Sequence, residues 1–167
     1  MKQKTTQSNS YLTFKLGEEE FGAHVSQVIN ILEMSNLTTI PKSPDYMKGI
    51  INLRGMVLPV IDARIKLGME EASYTYKTCI IVMDLELDNE EIQVGMIVDE
   101  VISVIEMNPK QLQEAPEFGN KQNARFLKHI ANVEDQFIQL IDMNKLLNSE
   151  ELSDIKTNTK EQEHTLA

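Results

Sequence analysis

The sequence lacks several residue types, and each shortage excludes a class of protein. A single cysteine, Cys79, rules out an internal disulfide and leaves no cysteine-based metal cluster. Tryptophan is absent and aromatic residues make up 5% of the chain, so the aromatic stripe of an oligonucleotide-binding barrel is missing. The formal net charge of −10 disfavours nucleic acid and anionic membrane surfaces as partners, because both carry negative phosphates.

Long apolar runs are missing as well. No segment approaches the roughly 20 apolar residues of a membrane helix, and the N-terminus lacks the apolar segment of a secretory signal. These absences predict a cytoplasmic protein without direct membrane insertion. The 167 residues are 41% hydrophobic, which is enough for one compact domain, or two small ones packed together, with a core of Ile, Val, Leu and Met.

Residues suited to catalysis or metal binding are few and scattered. His24, His129 and His164 have no metal-ligand spacing, and His129 is predicted to be a turn residue. The sequence contains no glycine-rich phosphate loop and no nucleophile elbow. We therefore predict that the chain is not an enzyme and holds no cofactor or metal.

Short strands joined by tight turns account for most of the first half. Strand-forming residues at 11–16 and 21–25 predict a hairpin, and the apolar spacing over 25–32 predicts a helical turn running into a strand. Residues 43–49 have the capping pattern of a short helix. Residues 62–67 predict a further helical turn.

The tails are polar. Residues 1–10 offer nothing to bury and are predicted to be disordered, whereas 149–167 form a polar C-terminal tail. A short helix is expected to open from Asn148, capped by Ser149.

An internal repeat relates the two halves. A shift of 73 residues places Gly22, Val25, Val28, Ile29, Glu33 and Met34 on Gly95, Val98, Val101, Ile102, Glu106 and Met107. A shift of 80 places Lys48, Ile50, Asn52, Ile61, Asp62 and Leu67 on Lys128, Ile130, Asn132, Ile141, Asp142 and Leu147. The change of offset implies seven extra residues in the second copy, for which the loop at 116–124 is the natural place.

The repeat predicts the architecture. The two units, about 11–67 and 78–147, have about five short strands each, too few to bury both faces of an open sheet. Two small barrels packed side by side would bury those faces and remove most exposed edges. We therefore predict a mainly β fold with a few short helices.

Apolar residues at every third position mark a candidate surface. Val25, Val28 and Ile31 recur in the first copy, and Val98 and Val101 are counterparts in the second. Two interpretations stay open: all five are core, or they line a groove between the copies that suits an amphipathic helix.

A hairpin tip is a second candidate. Arg54 and Gly55 lie between two apolar runs, which predicts an exposed turn. The second copy has Glu134 and Asp135 there, so the scaffold is repeated while the tip is not. Arg54 is therefore either an ordinary solvated arginine or a functional one.

Two stretches of the chain carry a family resemblance: Gly49 to Asp62, with its Asn-Leu-Arg-Gly turn and Pro-Val-Ile-Asp sequel, and Val94 to Val101. Together they resemble the chemotaxis coupling protein family CheW. The resemblance covers residues 11–148 and implies two intertwined five-stranded SH3-like barrels. It implies a non-catalytic adaptor that joins the regulatory domain of the histidine kinase CheA to the cytoplasmic tips of methyl-accepting chemoreceptors, recruited to membrane-bound receptor arrays.

The resemblance also implies a receptor-binding groove between the barrels. On matching positions it involves Leu12, Val25, Val28, Ile31 and Val101, with Asn30 and Arg54 at its edge. Many relatives have an acidic residue at the position of Asn30 and glycine at that of His129. No motif fixes kinase-binding residues. The alternative function is a CheW-like barrel that binds peptides or small ligands outside chemotaxis.

Overall fold

The computed structural model describes residues 9–114 and 126–166, with side chains as far as 157. Within these residues the chain forms eleven strands, and most connections are short. The strands are β1 (Ser10–Leu16), β2 (Glu19–His24), β3 (Val28–Glu33), β4 (Met47–Leu53), β5 (Met56–Asp62), β6 (Cys79–Leu87), β7 (Glu90–Val98), β8 (Glu100–Glu106), β9 (Leu112–Glu114), β10 (Leu127–Val133) and β11 (Gln136–Ile141). Of the predicted tail 1–10, residues 1–8 lie outside the described residues, as does the loop 116–124, and Ser10 is already part of β1.

The strands form two sheets of the same plan. One sheet has the order β8-β1-β2-β11-β10-β9, and the other has the order β3-β6-β7-β5-β4. Each sheet combines a hairpin from one repeat with strands from the other, so the two units are intertwined. The short strand β9 makes the first sheet six-stranded; its counterpart in the second sheet is a single bridge between Thr38 and Ile50.

Strands from the two repeats meet within each sheet at a parallel strand pair. β11 runs parallel to β2 with Leu140 opposite Gly22, and β5 runs parallel to β7 with Val60 opposite Gly95. These two residue pairs are repeat equivalents. A Cβ at Gly22 would lie 2.8 Å from Leu140 Cδ2, and one at Gly95 would lie 3.3 Å from Val60 Cγ2. Glycine therefore permits the close approach on which both parallel pairings depend.

Three apolar clusters hold the fold together. The largest lies between the sheets and includes Phe14, Ile61, Ile81 and Met96 among its fully buried members. Two smaller clusters lie within the individual sheets. The five-stranded sheet is curled, because Leu32 on β3 and residues 51 and 53 on β4, at its opposite edges, pack on one cluster.

Short helical segments join the strands. A 3₁₀ turn at Val25–Gln27 leads into β3, as predicted, and a second occupies Pro109–Gln111. Helix α1 (Ala63–Lys66) follows β5, and Asp62 caps it by accepting hydrogen bonds from the N–H groups of Arg64 (2.9 Å) and Ile65 (3.3 Å). Burial raises the pKa of Asp62. Helix α2 (Met143–Leu146) is the repeat counterpart, capped by Asp142.

Two local predictions within the repeat units were wrong. Residues 43–49 form no helix; Met47 N–H donates to Pro44 O in a single turn, and β4 begins at Met47 because its apolar residues pair with β5. His129 lies in strand β10 at a register shift, not in a turn.

The C-terminal segment is a helix of 18 residues, α3 (Ser149–Leu166). Its cap is Asn148, not the predicted Ser149: Asn148 Oδ1 accepts from Glu151 N–H at 2.7 Å, and the Glu151 carboxylate accepts from Asn148 N–H at 3.0 Å. Leu152 and Ile155 are buried in the central cluster. The first part of this segment is therefore attached to the core and is not a solvated tail.

Ionic contacts fasten α3 to both repeats. Glu151 pairs with Lys66 at 2.5 Å, and the Lys66 ammonium lies 4.5 Å from the centre of the Tyr46 ring. Burial and the neighbouring Glu151 carboxylate raise the pKa of Tyr46. Lys156 also pairs with Glu90 on β7. Among the described residues, no helix is long and apolar enough to cross a membrane.

Candidate functional site

The edge strand β3 presents an apolar strip beside the central cluster. Val28 stands opposite Met83 and Ile31 opposite Ile81, and both partners are buried in that cluster. Cross-strand neighbours point to the same face of a sheet. Val28 is half-buried against the cluster, whereas Ile31 is 40% exposed. The first-copy strip therefore starts in the core and ends in solvent.

The edge strand β8 repeats this arrangement in the other sheet. Val101 stands opposite Phe14 and is half-buried against the same central cluster. Val104 stands opposite Leu12 and is 59% exposed. Because Val28 and Val101 contact one cluster from two sheets, both strips border the junction between the sheets.

A bulge interrupts each strip at the same place. In the β3–β6 pair the register shifts between Val28 and Asn30. In the β1–β8 pair, Thr13 stands opposite Ser103 and Phe14 opposite Val101, so one residue of β8 is left over. Ile29 and Ile102 are the extra residues, 47% and 40% exposed. A bulge bends its strand and turns a side chain out of the regular alternation. In both copies it adds an exposed isoleucine to the strip.

Val104 is the residue that the sequence interpretation missed. It occupies the repeat position of Ile31, at the same offset of 73 that relates Val28 to Val101. Applying that offset to every member of the predicted surface would have found it. Only the structure shows that the Val104 side chain is exposed and lies on the same strand face as Val101.

The other predicted groove residues take different positions. Leu12 is 3% exposed and lies in the central cluster, so it can contribute only from beneath the surface. Val25 begins the 3₁₀ turn before β3 and is half-buried. Asn30 faces away from the strip, opposite Val82, and its Oδ1 accepts from the N–H of Ile31 at 2.8 Å. The groove itself stays a prediction.

Arg54 lies at the exposed tip of the β4–β5 hairpin. Arg54 and Gly55 both have positive φ (52° and 87°), the pattern of a tight hairpin turn. The Asn52 side chain closes the turn by accepting from Gly55 N–H at 2.9 Å. Glu134 and Asp135 form the same turn in the second copy, with φ of 50° and 65°. One backbone geometry therefore carries opposite charge in the two copies.

A charged clamp supports the junction on the side of α1. Arg64 donates to both carboxylate oxygens of Asp99, at 2.8 and 2.5 Å, and Asp99 also accepts from Gly17 N–H at 2.7 Å. Although desolvation by burial opposes it, the hydrogen bonds from Arg64 and Gly17 lower the pKa of Asp99. These contacts fix helix α1, the β1–β2 turn and the start of β8 relative to one another.

The repeat counterpart of this clamp is uncharged. Asn144 occupies the position of Arg64, and its side chain accepts directly from Glu86 N–H, at 3.1 Å, in the β6–β7 hairpin. A cleft of about 530 Å³ lies beside it, lined by residues from both sheets that include Tyr11, Asp84 and Lys128. None of the seven predicted receptor-binding residues lines this cleft.

The described residues group no side chains in the manner of a metal site. Within residues 9–114 and 126–166, no three histidine, cysteine, aspartate or glutamate side chains are grouped so as to hold a metal ion. His24 caps the 3₁₀ turn by accepting from Ser26 N–H at 3.1 Å. What the geometry offers is surface: apolar strips at two sheet edges and a charged hairpin tip, features typical of a binding scaffold.

Comparison with known proteins identifies the family. The model of the CheW-like domain matches residues 10–151. The chemotaxis protein CheW of Klebsiella aerogenes is 34% identical over 148 residues, which cover 89% of this chain and 87% of the relative. CheW of Bacillus subtilis is 34% identical over 139 residues, covering 83% and 86%. The chain belongs to the CheW-like family.

A solved structure supports the same conclusion. The crystal structure of the scaffolding protein TtCheW from Thermoanaerobacter tengcongensis matches with a TM-score of 0.76 at 28% identity, covering 87% of this chain and 97% of that one. The predicted mainly β fold of two intertwined units is confirmed. The family match ends at residue 151, so most of helix α3 lies beyond it.

Proposed function

We propose that the chain is a non-catalytic chemotaxis adaptor that couples chemoreceptors to the histidine kinase CheA. The observation that carries the proposal is the pair of exposed apolar strips on β3 and β8, found in a chain that matches the CheW-like domain over residues 10–151. Solvent-exposed apolar residues grouped along one face mark a protein-binding surface more often than isolated ones do.

The receptor tip would bind at the junction of the two sheets. Ile31 and Val104 would bury their exposed surface against apolar positions of a helical hairpin, and Val28 and Val101 would form the floor. An amphipathic helix presents such positions at intervals of three and four residues, which suits a groove between two strips. Binding to the receptor tips places the chain at the cytoplasmic face of membrane arrays.

Arg54 would contribute at the edge of this surface. Its guanidinium makes no ion pair with any described residue, so it is free to meet a carboxylate of the partner. Replacing it with glutamate puts like charges together, and we expect receptor-tip affinity to fall at least about tenfold in Arg54→Glu. The fold should be unaffected, because the side chain is exposed and glutamate occupies the equivalent turn in the second copy.

The test compares the two hairpin tips. Affinity for a purified receptor-tip fragment is measured by calorimetry for the wild type, for Arg54→Glu, and for Glu134→Arg, which makes the mirror change in the equivalent turn. We expect a large loss for the first variant and less than about a twofold change for the second. Equal affinities for all three proteins would contradict the role of Arg54.

Coupling requires a second partner. We expect the CheA regulatory domain to bind the wild type and Arg54→Glu alike, and a ternary complex with receptor tip to form only with the wild type at matched concentrations. Size-exclusion chromatography of the three-component mixture measures this. If the chain binds neither the tip nor the kinase domain, the adaptor function is wrong, and the alternative of a peptide- or ligand-binding barrel outside chemotaxis takes its place.

A further inference from the structure

We infer that two glutamates, Glu33 and Glu106, make this surface selective for a partner helix that carries basic side chains beside its apolar stripe. The inference rests on the proposed function and deepens it, because it states the charge of the partner surface. It begins from the position of these residues, each two places beyond the last exposed apolar residue of its strip.

Both glutamates lie on the same strand face as the strips. Glu33 stands opposite Cys79 at the end of β3, and Glu106 stands opposite Ser10 at the end of β8. Side chains two residues apart on a strand share a face, so Glu33 follows Ile31 on the face that borders the central cluster. Glu106 follows Val104 in the same way. Each strip therefore runs from a half-buried valine to an exposed carboxylate.

These carboxylates have no role within the described chain. Glu33 and Glu106 are exposed and make no ion pair or hydrogen bond through their side chains there. By contrast, Asp99 and Glu151 are each held by a cation and a backbone N–H. Asp99 and Glu151 therefore contribute to the stability of the fold, whereas Glu33 and Glu106 are available to a partner.

The repeat gives an independent argument. At the hairpin tip the charge changed sign between the copies, from Arg54 to Glu134. At the strip ends both copies keep glutamate, next to exposed Ile29 and Ile31 in one and Ile102 and Val104 in the other. Because the described residues make no ion pair or hydrogen bond with these carboxylates, we attribute their presence in both copies to the binding surface.

Charge and shape together define the partner. A carboxylate at the end of each strip attracts lysine or arginine, and partial desolvation strengthens that attraction relative to water. A helical segment can present an apolar stripe with basic residues at its flanks, because long basic side chains extend from the polar border of such a stripe. Phosphate-bearing surfaces are repelled, because the strips carry no cation.

The experiment measures affinity at two salt concentrations. The probe is the purified receptor-tip fragment, titrated at 50 and 500 mM NaCl into the wild type, the double variant Glu33→Gln/Glu106→Gln, the double variant Glu33→Lys/Glu106→Lys, and Glu18→Lys. The last changes a glutamate that is also exposed but lies in the β1–β2 turn, away from both strips. Circular dichroism confirms that all four proteins are folded.

We expect a graded loss that salt removes. At 50 mM the lysine variant should bind at least about tenfold more weakly and the glutamine variant about threefold, with Glu18→Lys within twofold of the wild type. At 500 mM the differences should shrink to about twofold, because salt screens partly exposed charges.

Two results overturn the inference and can be told apart. If the wild type binds the tip and the glutamate variants bind it equally well or more tightly, the partner is not selected by basic residues, and the adaptor function stands. If the wild type does not bind the tip, the inference fails together with the proposed function.

Discussion

Gly95→Ala should destabilise the fold more than the equivalent change in the other repeat. Gly95 lies where β7 runs parallel to β5, and an added Cβ would lie 2.8 Å from Ile80 Cγ2, 3.2 Å from Leu58 Cδ2 and 3.3 Å from Val60 Cγ2. All three neighbours are buried. Gly95 does not have a positive φ, so the substitution tests space alone.

The magnitude follows from those distances. Carbon atoms pack best at about 3.5–4.0 Å. The Cγ2 atoms of Ile80 and Val60 are bonded directly to Cβ, and the restricted χ1 of these β-branched side chains leaves them little room to move. Overpacking of this kind costs about 2–3 kcal/mol. The loss of glycine's freedom in the unfolded chain returns about 0.4–1 kcal/mol. We expect the free energy of unfolding to fall by about 1–2.6 kcal/mol.

Gly22→Ala is the matched control, because it makes the same change at the repeat-equivalent parallel pair. Its added Cβ would meet Leu140 Cδ2 at 2.8 Å, but the next nearest atoms are 3.6 and 3.7 Å away. The close atom is the far end of a leucine, which can shift within its rotamer for about 0.5–1.5 kcal/mol. After the same gain from the unfolded chain is subtracted, we expect the free energy of unfolding of Gly22→Ala to fall by about 0–1 kcal/mol.

Urea titration at 25 °C, followed by circular dichroism, measures both changes as shifts of the midpoint at constant slope. For a chain of this size the melting temperature of Gly95→Ala should fall by about 2–10 °C. If Gly95→Ala is as stable as the wild type, or if Gly22→Ala is the more damaging variant, the argument from close backbone approach is refuted.

Two further predictions concern stability. Leu152→Ala removes a side chain that is 2% exposed, and it should lower the free energy of unfolding by about 2–4 kcal/mol. The control, Ser153→Ala, changes the adjacent exposed residue and should alter the free energy of unfolding by less than about 0.5 kcal/mol. Equal effects of the two substitutions would show that α3 is not docked on the core. Asp99 has a lowered pKa in the folded state, so its pairing with Arg64 stabilises the fold above pH ~4 and is lost as the pH falls below that value. Acid titration of Asp99→Asn should therefore show a shallower loss of stability below pH 4 than the wild type, and an unchanged slope would contradict the clamp.

Local patterns predicted the elements where side-chain chemistry acts over a few residues. The strand-forming residues on either side of Gly17 predicted the first hairpin, and residues 62–67 predicted the helical turn that is α1; the structure shows that Asp62 caps it. The same reasoning failed at 43–49, where the capping pattern of Ser43 and Pro44 predicted a helix. Residues 47–53 pair with β5 instead, and this tertiary pairing outweighed the local preference.

The repeat gave more than local patterns could. Matches at offsets of 73 and 80 predicted two equivalent units, and the structure has two sheets of one strand order. Helix α3 was underestimated, because Leu152 and Ile155 are isolated apolar residues in a polar segment. Only the central cluster on which they pack shows that they are buried.

By itself, the sequence determined the class of fold, the repeat, the exposed turn of Arg54 and the family resemblance, because each depends on residue types at short or fixed spacing. The tertiary structure decided which apolar residues are available to a partner. Val98 and Val101 are equally apolar, yet Val98 is buried and Val101 is half-exposed. Burial depends on which strands exchange between the sheets and where the bulges fall, and these long-range pairings leave no signal in a single stretch of sequence.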